Sequence, residues 1–584
     1  MGYIKMAAVV LLAVIANVGA AQRKPNYTDY NDGKHIWVYE AIEPGKTCRI
    51  GMKTPKDLAG KVSIPEEITT QDGAVLRVVE IVYRGFADAL GLTEITIPNG
   101  VVKIDREAFA KCIGLQEINL PSSLDTIVSN AFSGCRGLTK MVIPKGVRKI
   151  MGGLFTSCPK LTEVKVEEGN ANYQVTDGVL MSTDGQTLVY YPIWKEQKEY
   201  TVPSSVRTLE SAAFDSCVHL EKVSLPDGVT SIPGNLFHNC KNLKNVTIPN
   251  GVTRIEANAF SDCWALPSIQ LPNSMTEIGI GAFSGCTALT SIHIPYGVKT
   301  MGDAAFYGCP ALTEVFWLAS EGCTVGDYPF SAYDPLATLY VRKGLQGEFE
   351  RKEWIKETFS ITEYPGVDFK DADGTMLDAQ LVKPNEKAKQ PSPAPQKSGF
   401  LFKGWHLNGN PYDFNTPVED NITLVAQWIA EKRTITFDAD GGDPTPPAQE
   451  VDYGQNAKLP SPAPQKSGFP LKGWSLKGNL YDFNTPVKSN ITLVAQWEKA
   501  SAVESVLLEG ATVAGNPFGE TLTLLGLAHA ERISVYSVIG VPVYTASLRG
   551  ETHIALNTTR WATGVYLIRI TARDGAKVLR VVKR

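Results

Sequence analysis

Ten cysteines and seven histidines are the side chains here with most chemistry to offer, and their spacing decides what they can do. Eight cysteines (Cys112, Cys135, Cys158, Cys217, Cys240, Cys263, Cys286 and Cys309) recur at one site in a 23-residue period, with one longer gap. Thiols can bind zinc, but zinc needs clustered ligands, commonly C-x-x-C pairs or histidines at ligand spacing, and neither occurs. One site repeated coil after coil stacks its occupants at a separation that disulfides tolerate. Ala89 fills that site one coil earlier, so the site asks for a small apolar residue, a role buried free cysteine serves well. The expectation is a column of free thiols, with stacked disulfides as the alternative; Cys48 and Cys323 lie off it. His35, His219, His238, His293, His406, His529 and His553 join no nucleophile or carboxylate motif, and neither G-x-S-x-G nor H-E-x-x-H occurs. GIGAFSG at Gly279 resembles a phosphate loop only superficially, because it is one copy of a recurring turn. DADG at Asp371 and DADGG at Asp438 lack the remaining positions of a calcium loop, so they read as tight turns. No catalysis, cofactor or metal is expected.

The elements that position these residues keep the same time. Phe86, Phe109, Phe132 and Phe155, then Phe214, Phe237, Phe260, Phe283 and Phe306, step by 23, as do leucines from Leu92 to Leu312. A period of this length means a solenoid whose coils bury one another's apolar faces. In LTEITIPNGVVKIDREAFAKC, Leu92, Ile95 and Ile97 make the strand, Pro98 ends it and Gly100 permits a turn. Val101 and Ile104 then return to the core, and Ala108-Phe109 opens the next inward stretch. Eleven coils are expected, their last strand positions running from Ile64 to Trp317. The step from Leu161 to Leu220 is 59, and the extra NANYQVTDGVLMSTDGQTLVYYP, with Asp-Gly turns, predicts an inserted hairpin.

The unit I-x-I-P-x-G-V-x-x-I-x-x-x-A-F-x-x-C resembles the BspA-type leucine-rich repeat of bacterial surface proteins, from about Ile64 to Tyr364. Residues 318–364 leave the register and read as a cap of strand, amphipathic helix and strand. Two copies of one module follow. Trp405, Trp428, Tyr412 and Asn421 recur as Trp474, Trp497, Tyr481 and Asn490, each 69 residues on. These copies resemble the Listeria–Bacteroides (internalin B-type) repeat, at 366–429 and 430–498. NPFGETLTL, ISVYSVIGVPVY, GVYLIRI and KVLRVVKR, in that order, are similar to the type IX secretion C-terminal sorting domain, here 499–584. That resemblance implies a Bacteroidota source, export across the outer membrane, and removal of the domain on arrival. Residues 1–21 have one lysine before an apolar run, the pattern of a signal peptide. No later stretch is apolar enough to span a membrane as a helix.

The expected fold class is therefore mainly β: a leucine-rich repeat solenoid with its caps (22–365), two small β-rich modules and a C-terminal antiparallel β sandwich. Net charge is −4 with basic residues dispersed, so no nucleic-acid partner is expected. The expected role is a surface or extracellular adhesin, with the type IX machinery as a second partner. The resemblance implies protein ligands such as host extracellular matrix or another bacterium. Strand alternation nominates an outward face: Glu94, Thr96, Glu117, Asn119, Lys140, Glu163, Lys165, Lys222, Asn245, Thr247, Gln270, His293 and Phe316. Phe316 is either an exposed anchor or packing beneath the cap. The alternative role, glycan or nutrient capture, would use Trp405, Trp474, Tyr412 and Tyr481 as stacking platforms; small β modules more often need such rings as core.

Overall fold

The computed structural model describes residues 27–319, 322–330, 337–352, 354–355, 358–498 and 508–584. The expected signal peptide and the expected cut near 499–505 lie outside these residues. The chain divides into two compact units, one of residues 1–396 and 402–428, the other of 397–401 and 429–584.

In the first unit most coils contribute two short parallel strands to two ladders. One ladder carries the I-x-I segments, such as Glu117–Asn119, and the other carries pairs such as Thr126–Ile127, Lys149–Ile150 and Arg254–Ile255. The second ladder was not evident from the sequence, because two residues of Lys-Ile are too few to show alternation. The coil closes through A-F, and the residues flanking it adopt left-handed backbone: Asn258 (φ 57°) and Asp262 (φ 59°) around Phe260, Gly281 and Gly285 around Phe283. Those positions favour Gly, Asn and Asp, which is why GIGAFSG looks glycine-rich.

The phenylalanines form the expected column. Phe237, Phe260, Phe283 and Phe306 stack at 5.0–5.3 Å between centroids, and all are 0 % exposed. Each Phe N–H bonds to the next coil, as Phe260 to the Ala282 carbonyl at 2.8 Å. The cysteine column answers it from the next coil. Cys286 Sγ donates to the Phe260 carbonyl at 3.2 Å, and Cys135 Sγ to that of Phe109 at 3.2 Å. The site thus takes a small residue, and where that residue is cysteine its thiol adds a weak donor. All ten cysteines are free and buried. Burial pushes the Cys158 and Cys309 thiols up to about 12, so neither is a nucleophile at neutral pH. Cys48 belongs to the strand Thr47–Met52 of an N-terminal antiparallel cap, and Cys323 is buried beside the last coil. Quantitative labelling without reductant should recover about ten thiols in denaturant and almost none in the native protein. Two or fewer in denaturant would mean that they pair.

The insertion is more than a hairpin. Tyr173–Thr176 and Val179–Ser182 pair antiparallel around Asp177-Gly178, and a third strand, Thr187–Tyr190, rejoins the solenoid by pairing parallel with Thr208–Leu209. Tyr191 stands 23 residues before Phe214 and stacks on it at 5.2 Å, so the aromatic column restarts one coil earlier than phenylalanine alone indicates.

The C-terminal cap also departs from expectation. Ala337–Arg342 and Phe359–Tyr364 extend the first ladder in parallel register beyond Glu314–Trp317. The helix between them is one turn, Gln346–Phe349, so the ladder runs two rungs past the eleven counted. The first β module packs on these rungs rather than hanging free. Arg342 Nη1 meets Asp368 Oδ2 at 3.2 Å, Asn273 donates to Asp378 at 2.6 Å, and Tyr296 OH donates to the Met376 carbonyl at 3.0 Å.

Both modules share one strand order. Met376–Leu381, Gly366–Lys370, Ile422–Ala430, Phe400–Leu407 and Asn410–Pro411 are matched in copy two by Gln449–Asp452, Lys432–Asp438, Ile491–Trp497, Leu471–Leu476 and Asn479–Leu480. DADG is a tight turn: Gly374 N–H donates to the Asp371 carbonyl at 3.0 Å, and Asp371 Oδ1 accepts from Trp428 Nε1 at 2.7 Å. The tail forms two antiparallel sheets around Leu522, Ile533, Val535, Ile568 and Val581, as the sandwich reading requires.

Candidate binding face

The first ladder presents the nominated residues in register. Glu94 stands opposite Glu117, Thr96 opposite Asn119, Lys140 opposite Glu163, Lys222 opposite Asn245, and His293 opposite Phe316. Thr96, Asn119, Lys140, Glu163, Lys165, Lys222, Asn245, Thr247, Gln270 and His293 are exposed; Glu94, Glu117 and Phe316 are half-buried. Gln270 lies outside any strand. Pro267 has no N–H for the ladder, and the segment around it has no strand pairing.

The face divides by chemistry. Its N-terminal and central charges neutralise one another: Lys61 with Glu94 at 2.6 Å, Lys140 with Glu117 at 2.9 Å, Lys165 with Glu163, and Lys222 with Glu199 at 3.2 Å. Exposed pairs of this kind contribute little energy. The C-terminal third is aromatic. His293, Phe316, Tyr340 and Tyr364 stack along the solenoid at 4.2, 4.6 and 4.6 Å between centroids, with interplanar angles of 8°, 13° and 38°. Although the His293 residue is exposed, its ring is desolvated where it lies on Phe316, and this dominant influence lowers its pKa, so that ring is neutral at physiological pH. Tyr340 OH donates to Glu314 at 3.2 Å. Phe316 is half-buried, held between His293 and Tyr340 of the cap strand Ala337–Arg342. Tyr340 and Tyr364 escaped the sequence reading because the 23-residue beat stops before them; the Y-V-R and T-E-Y alternations that hold them were the available signal.

A second feature is a groove of about 550 Å³ beside Glu163–Val166, where the insertion displaces the next rung, lined in part by Tyr173, Val175 and Trp194. The acid–base constellation lies elsewhere, at the A-F corner. His238 Nδ1 sits 2.6 Å from the buried Asp215 carboxylate and Nε2 sits 3.8 Å from Asp262. Burial opposes the imidazolium, but Asp215 outweighs it and raises the His238 pKa. Ser216 Oγ donates to Asp215 rather than facing His238 Nε2, so the group is a charge ladder without a poised nucleophile.

The module tryptophans are core. Trp405 and Trp474 are 3 % and 2 % exposed and pack edge-on against Phe369 and Phe437 at 4.8 and 4.9 Å. They cannot serve as stacking platforms, and Tyr412 and Tyr481 are half-buried against Phe414 and Phe483.

Comparison with known proteins identifies each part. The BspA-type leucine-rich repeat region matches residues 79–184 and 207–336 in six copies. The Listeria–Bacteroides repeat domain matches 366–427 and 434–496, and the secretion system C-terminal sorting domain matches 513–584. The chain is 39% identical over 140 residues to Internalin H of Listeria monocytogenes, covering 22% of this chain and 24% of that protein. It is 33% identical over 174 residues to a putative Gly-rich membrane protein of Evansella cellulosilytica, covering 28% and 19%. The chain thus spans about a quarter or less of these relatives. The pneumococcal vaccine antigen PcpA superposes with TM-score 0.41 at 22% identity, over 57% of this chain and 97% of that one. A leucine-rich cell surface protein of Faecalibacterium prausnitzii gives 0.31 at 25% identity, over 51% and 97%. The matched families are repeat surface modules, typically non-enzymatic. The sorting domain directs the chain through type IX secretion to the cell surface or the extracellular space. Among the described residues, no helix is long and apolar enough to cross a membrane.

Proposed function

We propose that this BspA-type leucine-rich repeat protein, carrying two Listeria–Bacteroides repeats and a type IX sorting domain, is an adhesin that holds a protein ligand on the C-terminal third of its first ladder. The aromatic ladder of His293, Phe316, Tyr340 and Tyr364 carries this reading. Because the rings lie on one another, the interior faces are covered and edges point outward. Edges and tyrosine hydroxyls suit the apolar and polar groups of a protein surface, where aromatic anchors dominate binding. A sugar would need open ring faces. The ligand class is a host matrix protein or a surface protein of another bacterium.

Immobilised matrix proteins and bacterial surface extracts, probed with the purified protein, test the reading. The Phe316→Ala/Tyr340→Ala double variant should lose at least tenfold in affinity, roughly 1.4 kcal/mol or more, while melting as the native protein does. Lys140→Ala should leave binding within about twofold, since the Lys140 ammonium is spent on Glu117. Equal loss in both variants, or in neither, counts against a binding face built on the aromatic rungs.

A further inference from the structure

The sorting domain has an outer sheet face that its own core does not use. In the sheet Pro542–Ser547, Arg532–Ser537, Gly564–Ala572 and Gly575–Lys583, Ile533, Val535, Tyr566, Ile568, Ile570 and Val581 point inward. The register then fixes the opposite face. Arg569 stands opposite Ser534 and Val578, Leu567 opposite Tyr536 and Arg580, and Arg532 opposite Thr571. None of these outward positions is acidic, and Arg532, Arg569 and Arg580 form no ion pair among the described residues. Between the guanidiniums lie exposed apolar side chains, Leu567 and Val578, the latter 59 % exposed. The adjoining hairpin tip adds Val538, Val541 and Ile539, the last 81 % exposed.

A face with three unpaired positive charges and interleaved apolar residues is complementary to an acidic, partly apolar surface. We infer that this face is what the export machinery reads: its partner is an acidic, apolar protein surface of the type IX apparatus. A membrane surface is the weaker occupant, because the arginines and apolar side chains interleave along paired strands and are not segregated into an apolar and a basic face, and only the hairpin tip at Ile539 could enter an acyl layer. The inference is independent of what the solenoid binds.

The test uses the full-length chain in a type IX-competent host. Arg532→Glu/Arg569→Glu/Arg580→Glu should cut surface delivery at least tenfold and leave folded protein in the periplasm. The matching triple Lys variant should be delivered within about threefold of native. Circular dichroism melts of both purified variants check that the exposed substitutions leave the fold intact; should the triple Glu variant melt early, Arg569→Glu alone is expected to reduce delivery several-fold. Native-like delivery of the Glu variants, or equal loss in the Lys variant, would overturn the proposal. So would loss of binding to phosphatidylglycerol vesicles with export unchanged, which would assign the face to lipid.

Discussion

Phe260→Ala should destabilise the repeat region by roughly 3–5 kcal/mol, as truncation of a fully buried core aromatic does. Phe260 touches Phe237 at 5.3 Å and Phe283 at 5.1 Å, and its carbonyl takes the Cys286 thiol. Removing the ring empties a slot that neither neighbour can fill, since each is held by its own backbone bond to the next coil. Solenoid stability is a sum of coil and interface terms, so the damage should travel along the column. Hydrogen exchange should accelerate in the coils around Phe237 and Phe283 and change little around Phe109, which belongs to the other core cluster, N-terminal of the insertion. Unchanged exchange beside Phe260 would be incompatible with a stacked column.

Deleting residues 577–584 should abolish folding of the sorting domain and, with it, export. The strand Gly575–Lys583 pairs with Gly564–Ala572 along its whole length and buries Val581. Lys583 Nζ donates to the Trp561 carbonyl at 2.7 Å, and Phe518 N–H donates to the Val582 carbonyl at 2.9 Å. Domains are stable by only about 5–15 kcal/mol, and one of seven described strands with its core residue accounts for a comparable amount. The truncated chain should accumulate in the periplasm with its solenoid intact, because that region has separate core clusters. Fractionation and limited proteolysis read the outcome, and intact-mass analysis of shed native protein should show the tail removed. Normal delivery of the truncated chain would make the tail something other than an address.

Much of the fold was legible because each coil repeats its own evidence. Phenylalanine, leucine and cysteine at one spacing specify a column before any coordinate is known, and the duplicated tryptophans mark two modules. Legibility failed where the repeat did. Tyr191 keeps the phase but changes the residue type, and the third strand of the insertion, Thr187–Tyr190, runs directly into it. Tyr340 and Tyr364 lie on rungs whose spacing from Phe316 is 24 and then 24 residues, in coils that no longer carry the A-F corner. Outward directions, from Glu94 to Phe316, followed from alternation alone. Which of them matter did not, because pairing such as Lys140 with Glu117 and stacking such as His293 on Phe316 depend on the neighbouring rung.

The central claim is that ligand sits on the aromatic rungs. Hydroxyl-radical footprinting of the full chain, free and saturated with a captured matrix or bacterial surface protein, addresses it most directly. Protection should concentrate on His293, Phe316, Tyr340 and Tyr364, with Trp264 and the module residue Tyr481 labelled equally in both states. Protection confined to the Listeria–Bacteroides repeats, or to the groove beside Trp194 with the four rings fully reactive, would contradict it.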